Sequence, residues 1–159
     1  MAGLDNTDCR ILESLQADAS QSLAQIAEQV SLSQNACWHR IKNLEKDGVI
    51  VKRVAILDPT KVGSGVTVFV MIRASEHSQE WFEKFSEAVS AMPELVEFYR
   101  TSGDTDYLLK LQLPDIASYD ESYKTLIRSA RCADISAAFT MQEIRRTTAV
   151  PILCRRSKQ

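Results

Sequence analysis

From Asp5 to Gly48 apolar residues recur at spacings of three and four, the period that turns one face of an α-helix toward a core. Ile11, Leu12 and Leu15 predict a first helix over 5–17, opened by Asp5 with Asp8 as its acidic partner three residues on. Leu23, Ile26, Ala27 and Val30 predict a second, opened by the capping box of Ser22 and Gln25. Cys37, Ile41 and Leu44 predict a third, capped by Ser33 and stopped by Gly48. Only Ser31, Leu32 and Ser33 separate the second helix from the third, so the two must cross steeply, and the small Ala27 suits the close approach. This is a helix-turn-helix on a supporting helix.

After Gly48 the period changes. Val49, Ile50, Val51, Val54, Ala55 and Ile56 are rich in β-branched side chains, which predicts a short strand pair or wing. Asp58, Pro59, Gly63 and Gly65 then punctuate the chain, and 58–65 reads as a linker between a domain at 1–57 and another at 66–159. In the second domain the pattern predicts strands over Val66–Ala74, Leu95–Thr101, Tyr107–Leu113 and Ile135–Ile144, with helices over Ser78–Met92 and Asp115–Ser129. The order βαββαβ is the ferredoxin-like plan, giving an α+β chain with both helices on one face of a sheet. The opposite face reads as apolar, and a second subunit is expected to cover it.

With 159 residues, 45% apolar and 25% charged, the composition is that of a globular protein. The net charge of -2 argues against nucleic acid, but its distribution argues for it. Arg40, Lys42, Lys46, Lys52 and Arg53 stand against Glu45 and Asp47, whereas Arg10 alone faces five carboxylates before Val30. No apolar run is long enough to cross a bilayer and the N-terminus lacks signal-peptide features, so a cytoplasmic location is expected, with no membrane partner. Cys9, Cys37, Cys132 and Cys154 are scattered without metal-ligand spacing and read as buried free thiols. Neither a metal nor a cofactor is expected.

Two stretches carry candidate chemistry. The outward face of the third helix offers Ser33, Gln34, Asn35, Trp38, His39, Arg40 and Lys42, which suit base edges, phosphates and a sugar-phosphate wall of double-stranded DNA. The turn Ser102, Gly103, Asp104, Thr105, Asp106, Tyr107 can present backbone amides to a carboxylate and Asp106 to an ammonium, both of which an α-amino acid carries. Gly and Asp are also ordinary turn residues. Asp104 and Asp106 as a catalytic pair fit less well, because no base or metal constellation converges on them in sequence, and the chain reads as a non-enzyme. Arg145, Arg146, Arg155, Arg156 and Lys158 form a basic tail, solvated or in a secondary DNA contact.

Taken together, LDNTDCRILESLQ, LAQIAEQVSLSQNACWHRIKNLEKDGVI, SGDTDYLLKLQ and EIRRTTAVPI resemble the Lrp/AsnC, or feast/famine, family of transcription regulators over essentially the whole chain. The resemblance implies a winged helix-turn-helix, a ligand-sensing domain, homodimers that assemble to octamers, and an amino-acid effector near Ser102–Asp106. ACWHRIKNLEKDGVI, HSQEWFEKF and YDESYKTLI look closest to the cysteine-responsive branch. The chain departs from many members at Ser31, where they have Gly, and at Gln34 and Ala36, where they have Pro, so base preference does not carry over. Arg40 matches the family arginine and is the expected phosphate contact. The rival expectation is a metabolite-binding oligomeric module without specific DNA binding.

Overall fold

A computed structural model describes residues 3–129 and 131–154. The chain divides into two compact units, one formed by the chain up to Ala55 with the segment from Arg145 onward, the other by Ile56–Ile144.

The first unit holds α1 (Asn6–Ala17), α2 (Leu23–Gln29) and α3 (Gln34–Lys46). Each begins where a side chain replaces a missing backbone partner. The Asp8 N–H donates to Asp5 Oδ1 at 2.8 Å and the Asp5 N–H to Asp8 Oδ2 at 3.2 Å, while Ser22 and Gln25 exchange the same pair of bonds. Ser33 Oγ accepts the Ala36 N–H at 3.2 Å. Each cap contributes about 1 kcal/mol. The α2–α3 turn closes when Leu32 N–H reaches the Ala27 carbonyl at 2.9 Å, which puts Ser31 at φ 59°, a left-handed position where glycine is easier. Gly48, at φ 72°, ends α3 and lets the Val49 and Ile50 N–H groups reach the Leu44 carbonyl. Ile11, Leu12, Ile26, Ala27, Val30, Cys37, Ile41 and Leu44 form the core.

Three expectations change here. The strand pair expected after Gly48 is not formed among the described residues: 51–58 carry no strand, and Val51, Val54, Ile56 and Leu57 remain exposed. A β-branched run forms a strand only where another strand supplies its hydrogen bonds, and this one has none among the described residues. Cys9 and Cys154 are joined in a disulfide rather than free, leaving Cys37 and Cys132 as thiols. The expected 66–159 span also differs from the observed division at its end, because Ile152 packs on the helical core and Val150 bonds to Gln16.

The second unit is β1 (Val66–Ala74), α4 (Gln79–Ser90), β2 (Leu95–Arg100), β3 (Tyr107–Leu113), α5 (Tyr119–Ser129) and β4 (Cys132–Phe139). The strands form one antiparallel sheet in the order β2-β3-β1-β4. Val68, Val70, Ile72, Leu109 and Leu111 point to one face and meet Trp81, Phe85 and Val89 of α4 and Leu126 of α5, so both helices cover that face. β4 starts and ends earlier than its apolar pattern suggested, because its pairing with β1 runs from Ala74–Cys132 to Val68–Phe139. α5 starts later, since Asp115 Oδ1 accepts the Ser118 N–H at 2.8 Å in a turn of its own. The open face is mixed rather than apolar. Phe69, Met71, Leu108 and Tyr99 share it with a Thr67–Gln112 hydrogen bond of 3.1 Å and a Lys110–Glu97 ion pair of 2.8 Å.

Candidate DNA interface and ligand loop

Burial of Cys37, Ile41 and Leu44 fixes the rotation of α3 about its axis. The same rotation leaves Ser33, Gln34, Asn35, Trp38, His39 and Lys42 exposed together, with the first three at the helix N-terminus where backbone N–H groups favour anions. Trp38 meets His39 edge to face at 4.8 Å and is 44% exposed. A shallow pocket of about 370 Å³ runs beside it, walled by Leu23, Ile26 and Ile41 and edged by Gln21, Lys42, Glu45 and Arg53. Glu45 holds Lys42 at 2.7 Å and Arg53 at 3.2 Å, and the Lys42 hydrogen bond lowers its carboxyl below the usual range. Arg53 thereby joins the basic edge of the helix, a placement that no helical period reveals because it comes from the segment after Gly48.

Arg40 sits differently from its neighbours. Its Nη1 lies 2.7 Å from Asp5 Oδ2 and 2.7 Å from Asp8 Oδ1, so the guanidinium ties α3 to the capping box of α1. The hydrogen bonds that Arg40 donates to Asp5 and Asp8 raise its pKa. Asp5 is lowered, chiefly by the Asp8 N–H and then by Arg40.

In the second unit, Ser102, Gly103 and Asp104 are exposed at the β2–β3 turn, with Gly103 at φ 119° supplying the bend. Asp106 is half-buried: its Oδ2 accepts the Ala74 N–H at 2.8 Å, and its own N–H donates to the Ile72 carbonyl at 2.9 Å. Its Oδ1 lies 3.9 Å from His77 Nδ1. Arg73 Nε donates to the Asp104 carbonyl at 3.2 Å. Tyr107 points inward, 3% exposed, with its ring among Trp81, Phe82, Phe85 and Phe98. It anchors the loop rather than lining its surface. Arg73 and His77 escaped the sequence reading because they lie about thirty residues from the loop, and only the pairing of Ile72 with Tyr107 brings them there. The result is a compact patch in which the Arg73 guanidinium and the His77 imidazole stand at the loop that carries the Asp104 and Asp106 carboxylates.

Comparison with known proteins agrees with this division of labour. The family described as winged helix-turn-helix DNA-binding matches residues 4–51, and the Lrp/AsnC ligand binding domain matches residues 67–150. The chain is 50% identical over 149 residues to the glutamate uptake regulatory protein of Zymomonas mobilis, covering 94% of this chain and 91% of that protein. A crystal structure of an AsnC family transcriptional regulator from Agrobacterium tumefaciens is 52% identical, with a TM-score of 0.89 over 93% of this chain and 97% of that one. A transcriptional regulator of Neisseria meningitidis, solved as its L-Met complex, is 30% identical, with a TM-score of 0.88 over 93% and 96%. Among the described residues no helix is long and apolar enough to cross a membrane.

Proposed function

This chain belongs to the Lrp/AsnC family of transcription regulators, whose members are regulators rather than enzymes, and from that premise we propose how it reads DNA and what tunes it. A cytoplasmic homodimer, able to assemble further to an octamer, sets two copies of α3 in successive major grooves, roughly 34 Å apart. Gln34, Asn35 and His39 read base edges, Ser33 and Lys42 contact phosphate, and Trp38 packs along the sugar wall. Arg40 acts mainly by holding α3 on α1 through Asp5 and Asp8. The observation that carries this reading is the single rotation of α3 that buries its apolar stripe and exposes those side chains as one surface.

An α-amino acid binds at Ser102–Asp106, with its ammonium toward Asp104 and Asp106 and its carboxylate toward Arg73 and the Gly103 backbone. The Arg73 guanidinium, held against the loop that carries the Asp104 and Asp106 carboxylates, supports a zwitterion, and a relative solved with L-Met supports an amino acid. Cysteine is the first effector to try. Binding shifts DNA affinity only by the effector's preference for one assembly or dimer geometry over another.

Gel-shift titration of the purified protein on its own upstream region, with and without cysteine, methionine, glutamate, leucine and other amino acids, tests both halves. The expected result is a specific shift altered by one amino acid. Asp106→Asn keeps an acceptor for the Ala74 N–H but removes the charge, so it should bind DNA normally and lose the response by tenfold or more in effector concentration, about 1.4 kcal/mol. An unaltered response removes the loop from the effector site. Amino-acid binding by a protein that binds no duplex DNA would favour the metabolite-binding module.

A further inference from the structure

The C-terminal segment is fastened to α1 at three points. The Gln16 side-chain amide pairs with the Val150 backbone in both directions, Nε2 donating to the carbonyl at 3.1 Å and Oε1 accepting the N–H at 2.7 Å. Ile152 packs on the helical core. Cys154 is bonded to Cys9, itself 1% exposed near the start of α1, across a Cα separation of 6.2 Å. Gln16 and Cys9 are seven residues apart, which is two turns of one helix face, so the tail runs antiparallel along α1. Two turns of helix rise roughly 11 Å and four extended residues roughly 13 Å, so the lengths match.

A DNA-binding regulator works in a compartment whose thiol pools keep most cysteines reduced, and a cross-link there is one that opens and closes. We propose that Cys9 and Cys154 are a redox-modification site, a reversible disulfide that latches the C-terminal tail to the DNA-binding unit and raises its DNA affinity. The inference rests on the regulator reading for its compartment and for its affinity readout. Cys154, half-buried beside the exposed Leu153, is the reacting thiol. Its thiolate attacks one sulfur of a low-molecular-weight disulfide such as oxidised glutathione, releasing one thiol and leaving a mixed disulfide on Cys154. The Cys9 thiolate then attacks Cys154 Sγ and displaces the second thiol. Two protein thiols lose two electrons, the small disulfide gains them, and the two protons end on the released thiols; a dithiol reverses the sequence. Cys37 and Cys132 stand apart by position: Cys37 lies in the helical core and Cys132 opens β4 of the second unit, and burial raises both thiols. Closed, the latch holds Ile152 on the core that carries α3; open, the tail keeps only the Gln16 and Ile152 contacts.

The test equilibrates the full chain with oxidised or reduced glutathione, alkylates free thiols of one portion in denaturant and maps the peptides, and titrates DNA with the folded, unalkylated remainder of each form. A Cys9–Cys154 peptide within monomers on a non-reducing gel, lost on reduction while Cys37 and Cys132 alkylate in both forms, is expected. The oxidised form should bind DNA about fivefold or more tightly. Cys154→Ser should keep the reduced affinity under both conditions. The proposal is overturned by no cross-link at any glutathione ratio, by a cross-link only between two chains, or by equal affinities of the two forms. Protein that binds no DNA in either form refutes the regulator reading instead. The latch is then judged by melting: the oxidised form should melt about 5 °C higher, and equal melting temperatures overturn it.

Discussion

Arg40 places one guanidinium between two carboxylates of another helix, so its loss should be felt first in the folding of the three-helix unit. Because the pairs are part-exposed, Arg40→Ala should cost about 1 kcal/mol and lower the melting temperature by about 3 °C. DNA affinity should fall while the slope of log K against log salt stays unchanged, as a positioning role requires. A slope shallower by about 0.9 would instead make Arg40 the direct phosphate contact that its charge suggests. Ser31 carries the opposite opportunity. At φ 59° a side chain is strained, so Ser31→Gly should stabilise the unit by about 0.5–1 kcal/mol after the extra freedom of an unfolded glycine is subtracted, visible as a higher urea midpoint. A lower midpoint would mean that the Ser31 side chain is needed in the turn. Arg40 and Ser31 both stand out in the sequence, but the partners of Arg40 are 32 and 35 residues away and no local pattern names them.

Helix starts were legible because they are local. Asp5 with Asp8, Ser22 with Gln25, and Ser33 each satisfy backbone donors within three residues, and each caps the helix it announced. The α1 cap also makes a pH prediction. Asp5 titrates below its usual value near 3.9, so it binds a proton more readily when unfolded than when folded. Its contribution is therefore fully present above pH 4 and is lost as pH falls through the folded value. Stability measured by urea should stay level from pH 7 to 5 and fall below 4, and Arg40→Ala should make that fall shallower. An equally steep fall in the variant would separate the acid limb from this contact. Strand ends were less legible: β4 was expected to run to Ile144 but its ladder with β1 ends at the Val68–Phe139 pair, with the Thr140 N–H donating to the Thr67 carbonyl just beyond. The run after Gly48 is the converse case, β-prone residues with no strand to pair with among the described residues.

Across the whole molecule, DNA and effector are read by different units, so any coupling must be reciprocal. If an amino acid changes DNA affinity by some factor, DNA must change that amino acid's affinity by the same factor, and calorimetric titration with and without operator DNA checks it. Unequal factors would show that a third state or a change of assembly intervenes. The periodicity of the chain alone determined the three helices, their caps, the βαββαβ order and the rotation of α3 that exposes its polar face. All of these follow from neighbours within a few residues. Only the tertiary structure decided that Arg40 faces two aspartates, that Arg73 and His77 meet the Asp106 loop, that Tyr107 turns inward, and that the tail returns to α1 with Cys154 against Cys9. Those contacts join residues tens to more than a hundred positions apart, and such meetings are set by how the packed elements close on one another rather than by any repeat along the chain.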